Sequence, residues 1–118
     1  MTDNPARILV TGSRHYRRVG LVRAALHPYR DHSLELVNGG YGGLDTIAGG
    51  VWRGWGETER VVLADWDTYG QAAGGIRNQE MVNLGRYLVC LAFPLAGSVG
   101  TWDCVRRARA AGIPVEYL

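Results

Sequence analysis

Apolar and polar positions fall into blocks along this chain, and the period of the pattern changes from block to block. Residues 8–10 are a short apolar run ending in Thr11-Gly12-Ser13, which predicts a buried strand and a tight turn. Leu21, Val22, Ala24, Ala25, Leu26 and Tyr29 then recur at helical spacing, to about Pro28 or a little beyond. A second strand is predicted over 34–37. Leu44, Ile47, Ala48, Val51, Trp52 and Trp55 follow at steps of three or four, the stripe of an amphipathic helix. A third strand is predicted over 60–64, a long polar loop over 65–75, and a helix from Ile76 to about Leu84. Residues 87–93 are apolar without alternation, as expected of a central strand covered on both faces. A helix from about Gly100 to Ala111 comes next, stopped by Gly112 and Pro114, and residues 115–117 complete the pattern as a short strand.

Strand and helix alternate throughout. The expected fold is α/β: a single Rossmann-like domain over residues 1–118, with a five-stranded, mainly parallel sheet and helices on both faces. Ligands of such sheets sit beyond the carboxyl ends of the strands. The four loops there are TGSR (11–14), NGGYGGLD (38–45), DWDTYGQAAGG (65–75) and PLAGSVGT (94–101), and each carries glycine.

Composition narrows the chemistry. All 13 basic residues are arginine. Without lysine the chain can form neither a Schiff base nor a GxxxxGK[ST] phosphate loop. A net charge of +2 speaks against a nucleic-acid partner. Cys90 and Cys104 make no disulfide framework and no zinc site, and the three histidines form no spaced cluster, so neither a metal nor a cofactor is expected. No apolar run reaches membrane-spanning length and no signal segment opens the chain, which predicts a reducing, cytoplasmic setting without a membrane partner. Four Trp and six Tyr in so small a chain predict a homo-oligomer, with Trp52 and Trp55 either at a helix-to-helix interface or facing the sheet.

Glycine at a strand-to-helix turn lets backbone approach a ligand, and the helix beyond it offers unpaired N–H groups to an anion. Phosphate is the natural guest. The candidate ligand-binding residues are Gly12, Ser13, Arg14, Gly39, Gly40, Gly43, Asp45, Asp65, Trp66, Arg77, Asn78, Gly97, Gly100 and Thr101. Arg14 and Arg77 would fork a phosphate. Asp45 either caps the helix that follows it or accepts a ribose hydroxyl. Asp65 and Trp66 either suit a nucleoside, carboxylate to sugar and ring to base, or anchor their own loop. Arg17, Arg18, Arg106, Arg107 and Arg109 are expected as solvated charges or surface ion pairs.

TGSR, NGGYGGLDTIA (38–48), ADW (64–66), the stretch from Tyr69 to Met81, AFP (92–94) and GTWDCVRRARAAGIPV (100–115) resemble, in order and spacing, the YspA-like branch of the SLOG superfamily over nearly the whole chain. That resemblance implies a Rossmann-like fold and a nucleotide or nucleotide-derived ligand of the AMP, ADP-ribose or NAD-derivative class, bound by a sensor or sequestering module. Hydrolase relatives in the wider superfamily imply an alternative, a phosphoribohydrolase or nucleotide N-glycosidase, with Arg77 orienting phosphate and Asp103 as acid. Arg77, Asn78 and Met81 fit one hydrolase signature. Pro94, Gly97, Gly100 and Thr101 keep the skeleton of the other, but its final glutamate falls on Cys104. Asp103 is one residue early, about 100° round the helix. A DNA-processing branch implies single-stranded DNA binding as a further alternative.

Overall fold

The structure is a computed structural model and describes residues 5–118. Five strands form one sheet: β1 (Arg7–Gly12), β2 (Glu35–Asn38), β3 (Thr58–Val61), β4 (Tyr87–Phe93) and β5 (Val115–Tyr117). Their spatial order is β3-β2-β1-β4-β5, and every pairing is parallel. The chain winds outward from β1 to β3 and then returns to the other side of β1 to lay down β4. The order therefore reverses at the β1–β4 boundary. The loops leaving those two strands diverge to opposite faces and open a crevice between them.

Alternate side chains of the strands feed two cores. Ile8, Val10, Leu36, Leu91 and Phe93 face α1 (Val19–Leu26) and α2 (Leu44–Gly54), which bring Val22, Leu26, Leu44, Ala48, Val51 and Trp52. Leu9, Val37 and Cys90 face the other way. There they meet Met81 and Val82 of α4 (Ala73–Asn83) and Cys104 and Ala108 of α5 (Val99–Ala110). Two apolar residues in succession thus serve opposite layers, which is why β4 reads as a continuous apolar run. Among the described residues no helix is long and apolar enough to cross a membrane.

Three expectations need correction. The third strand lies at Thr58–Val61, not over 60–64. β2 is four residues long and ends at Asn38, so Val62 keeps only an N–H bond to the Asn38 carbonyl (2.9 Å) and Leu63 is left exposed. The loop over 65–75 contains structure of its own, a short α3 (Trp66–Tyr69) and a 3₁₀ turn (Gly70–Ala72), and α4 begins at Ala73 rather than Ile76. Asp65 is the reason, because its carboxylate accepts the Thr68 N–H (3.1 Å) and caps a turn that the glycines conceal. Finally, of the two readings of Trp52 the interface one fails and the sheet-facing one holds. It is wholly buried and its indole N–H donates to the Thr58 carbonyl (2.9 Å), while Trp55 packs edge-on against it and carries Arg30 over its ring.

Candidate functional site

A cleft of about 330 Å³ lies in the β1–β4 crevice. It is lined by the segment after β1 (Thr11 to His15), by Tyr41 and Asp45, by Arg77, and by the segment after β4 (Ala96 to Thr101). Three of the glycine loops, Arg77 of α4 and the first turn of α5 thus meet around one space.

The loop after β4 is shaped to leave a helix end bare. Ser98 occupies the N-cap of α5, but its side chain caps nothing in the helix; its hydroxyl accepts the Leu95 N–H instead (2.9 Å). Gly97, at φ 79°, closes the turn, and the Val99 N–H bonds back to its carbonyl (2.8 Å). Gly100 and Thr101 then present the open first turn of a twelve-residue helix to the cleft. Thr101 is 3% exposed, and among the described residues its Oγ1 has no hydrogen-bond partner. A buried hydroxyl left unpaired is costly, which makes Thr101 the candidate contact for a ligand atom.

Arg77 enters from the opposite wall. It is 9% exposed, its Nη1 donates to the Gly39 carbonyl (2.7 Å) and its Nε to the Asn78 Oδ1 (3.0 Å). Among the described residues no carboxylate oxygen comes within 4 Å of its guanidinium. A buried cation without a counter-ion is unfavourable alone and favourable once an anion arrives. Asn78 donates to the Gly100 carbonyl (3.3 Å) and to Asp103 (3.0 Å). Adjacent residues of α4 therefore pin the second glycine loop and the start of α5. A Cβ at Gly39 would overlap the Arg77 guanidinium and push it from its present place.

Asp45 lies at the floor, in the first turn of α2 and 8% exposed. It does not cap α2, whose N-cap is Gly43; it accepts the Tyr41 N–H (3.2 Å) and closes the preceding loop. Burial raises its pKa from 3.8 to about 6, against the lowering effect of the Tyr41 N–H and the Arg77 charge. The folded chain therefore holds a proton that the unfolded chain releases between about pH 4 and pH 6. Stability from this group is highest below that window and falls by about 3 kcal/mol as pH rises through it. Asp45→Asn is expected to remove that slope and to raise the melting temperature at pH 8 by a few degrees, about 1–2 kcal/mol. An unchanged pH profile in thermal denaturation would refute this assignment.

The other expected residues divide clearly. Gly12, Ser13, Arg14, Gly97, Gly100 and Thr101 line the cleft with Asp45 and Arg77. Gly39, Gly40, Gly43 and Asn78 shape it from behind. Asp65 is spent on its own turn, and Trp66 reaches the rim only through Tyr41, ring to ring at 5.8 Å. Asp103 does not line the cleft. It binds Arg106 and Arg107 (2.9 Å) within α5 and accepts a bond from Asn78 across the α4–α5 contact. Partial burial pulls its pKa up, but the bonds from Arg107 and Asn78 and the two arginine charges outweigh this and hold it below the usual range. A carboxylate so held is a poor proton donor. Cys104 is fully buried in the α4–α5 core. Thr11, His15, Tyr41, Ala96, Ser98 and Val99 complete the lining; the only signal of His15 and Tyr41 is their place beside Arg14 and inside the second glycine loop.

No family model matches the chain. It is 44% identical over 117 residues to the Gene 61 protein of Mycobacterium phage D29, covering 92% of this chain and 93% of that one. The chain belongs to the family of that Gene 61 protein. Its fold is shared with DNA processing protein A (DprA) from Streptococcus pneumoniae, at TM-score 0.77 and 18% identity over 95% of this chain. The chain spans half of the DprA length, 50%. It is also shared with the structural-genomics target TM1055, at TM-score 0.66 and 19% identity, covering 93% of this chain and 72% of that one. This Gene 61 family member thus has the Rossmann-like fold that the SLOG resemblance implies.

Proposed function

We propose that the chain binds a nucleotide or nucleotide-derived ligand, with a phosphate on the first turn of α5. The unpartnered Oγ1 of Thr101 carries this reading. A phosphate oxygen there would accept the hydroxyl and the neighbouring amides, and Arg77 would supply the opposing charge. The sugar would lie toward Asp45, and the half-exposed Tyr41 and Trp66 offer a face to the base. Binding is favoured over N-glycoside hydrolysis because Asp103 is engaged with Arg106 and Arg107.

Thr101→Val tests it with two readouts of opposite sign. The change keeps shape and removes only the unpaired hydroxyl, so stability should hold or rise by up to about 1 kcal/mol. Affinity for AMP or ADP-ribose, measured by calorimetry, should fall by roughly tenfold. Equal affinity in the variant and the parent, or no binding to either, would refute the reading.

A further inference from the structure

Asn78 touches both walls of the cleft from behind. It is 4% exposed. Its Oδ1 accepts the Arg77 Nε–H (3.0 Å), and its Nδ2 donates to the Gly100 carbonyl (3.3 Å) and to Asp103 (3.0 Å). Each of these neighbours permits one direction only. A guanidinium nitrogen can only donate, while a carbonyl and an ionised carboxylate can only accept. Arg106 and Arg107 keep Asp103 ionised. The amide therefore cannot turn over, and its oxygen is committed to Arg77.

That this oxygen belongs to an amide and not to an acid decides the charge of the cleft. Two neutral acceptors, the Asn78 oxygen and the Gly39 carbonyl, hold Nε and Nη1 of Arg77. Among the described residues Nη2 has no hydrogen-bond partner, and Arg77 lines the cleft. The side chain is thus aimed by uncharged groups, and its positive charge stays uncompensated. Aspartate at this position would have nearly the same shape. It would pair with Arg77 and would set two carboxylates against each other at the Asp103 contact.

Resting on the nucleotide reading above, we infer that Asn78 is a positioning residue for the anion. It aims the Arg77 guanidinium into the cleft and, being an uncharged amide, leaves that charge to the ligand's phosphate. Asp103 fixes the direction of the amide. The acid that stands away from the cleft acts through Asn78 and Arg77, not on the ligand itself.

Calorimetric titration of the whole chain with ADP-ribose, at one fixed ionic strength, tests this on three variants. Asn78→Asp places two carboxylates in contact and should lose both stability and affinity. Asn78→Asp/Asp103→Asn restores a bond between amide and carboxylate with the partners exchanged, so most of the stability should return in urea denaturation. Affinity should not return with it. It should stay at least about tenfold below the parent, because Arg77 now has a counter-ion. The gap should narrow as pH falls from about 8 to about 5, where the new carboxylate takes up a proton. Asp45 is common to both proteins, and the phosphates of ADP-ribose keep their charge over this range. Parental affinity in the double variant, or a gap that does not change with pH, would overturn the inference while leaving the nucleotide reading intact. Asn78→Ala decides the matter if the double variant does not fold. It leaves Arg77 unpaired but untethered, and affinity should fall by about three- to tenfold; unchanged affinity would overturn the inference. No binding by the parent would overturn both this inference and the nucleotide reading.

Discussion

Arg77→Met is expected to lower nucleotide affinity by about two to three orders of magnitude while leaving the chain folded. Methionine preserves length and apolar bulk but removes the one charge that faces the cleft from α4. The stability change is a difference of two terms. Losing the guanidinium leaves the Gly39 carbonyl and the Asn78 side-chain oxygen without their donors, at about 1–3 kcal/mol each. Against this, a buried cation with no carboxylate within 4 Å among the described residues no longer has to be desolvated. A modest net loss is expected, small beside the loss of binding. Calorimetry and thermal denaturation on the same sample separate the two. Undiminished affinity would show that Arg77 is a structural staple and nothing more.

Gly43→Ala is expected to cost at least about 3 kcal/mol and to prevent folding at ordinary temperature. Gly43 has φ 49° and ψ −119°, a conformation that side chains rarely adopt. A Cβ there would also overlap the backbone carbonyl of Arg14. That neighbour is main chain, so it cannot swing aside as a flexible side chain could. The contact is what brings the loops after β1 and β2 together. The Leu44 N–H bonds to the Ser13 carbonyl (3.1 Å) at the same point. Gly42→Ala is the control, since a Cβ at Gly42 meets nothing within 4 Å, although φ 88° still strains it. Circular dichroism and urea denaturation should rank the two, with Gly43→Ala far worse. Similar stability for both would mean that conformation alone, not the crossing of the loops, makes glycine necessary.

The alternation of strands and helices was legible in the sequence because both faces of the sheet are covered and α2 has a clear apolar stripe. Residues 87–93 announced β4 by the absence of alternation. β3 was misplaced because Val61 at its end and Leu63 beyond it are apolar but exposed at a sheet edge; its ends are set by pairing with β2. Pairing of that kind is non-local and leaves no mark in a single segment. The convergence of Arg14, Arg77, Gly100 and Thr101 could be expected from glycine at strand ends, since parallel topology sends all such loops to one edge. The role of Asp103 could not be expected. Its neighbours Arg106 and Arg107 lie one turn on, at spacings equally suited to solvent or to an ion pair, and only the packing of α5 on α4 decides between them. Of the two readings of Asp45 the cap fails by two residues of register, since Gly43 takes that place.

The central claim is that the first turn of α5 receives a phosphate. Titration of ¹⁵N-labelled protein with AMP, followed through the amide resonances, addresses it most directly. The account predicts saturable shifts that are largest at Gly100 and Thr101, with Arg77 Nε responding at the same ligand concentration. Saturable shifts confined to other parts of the surface, with Gly100 and Thr101 unmoved, would contradict it.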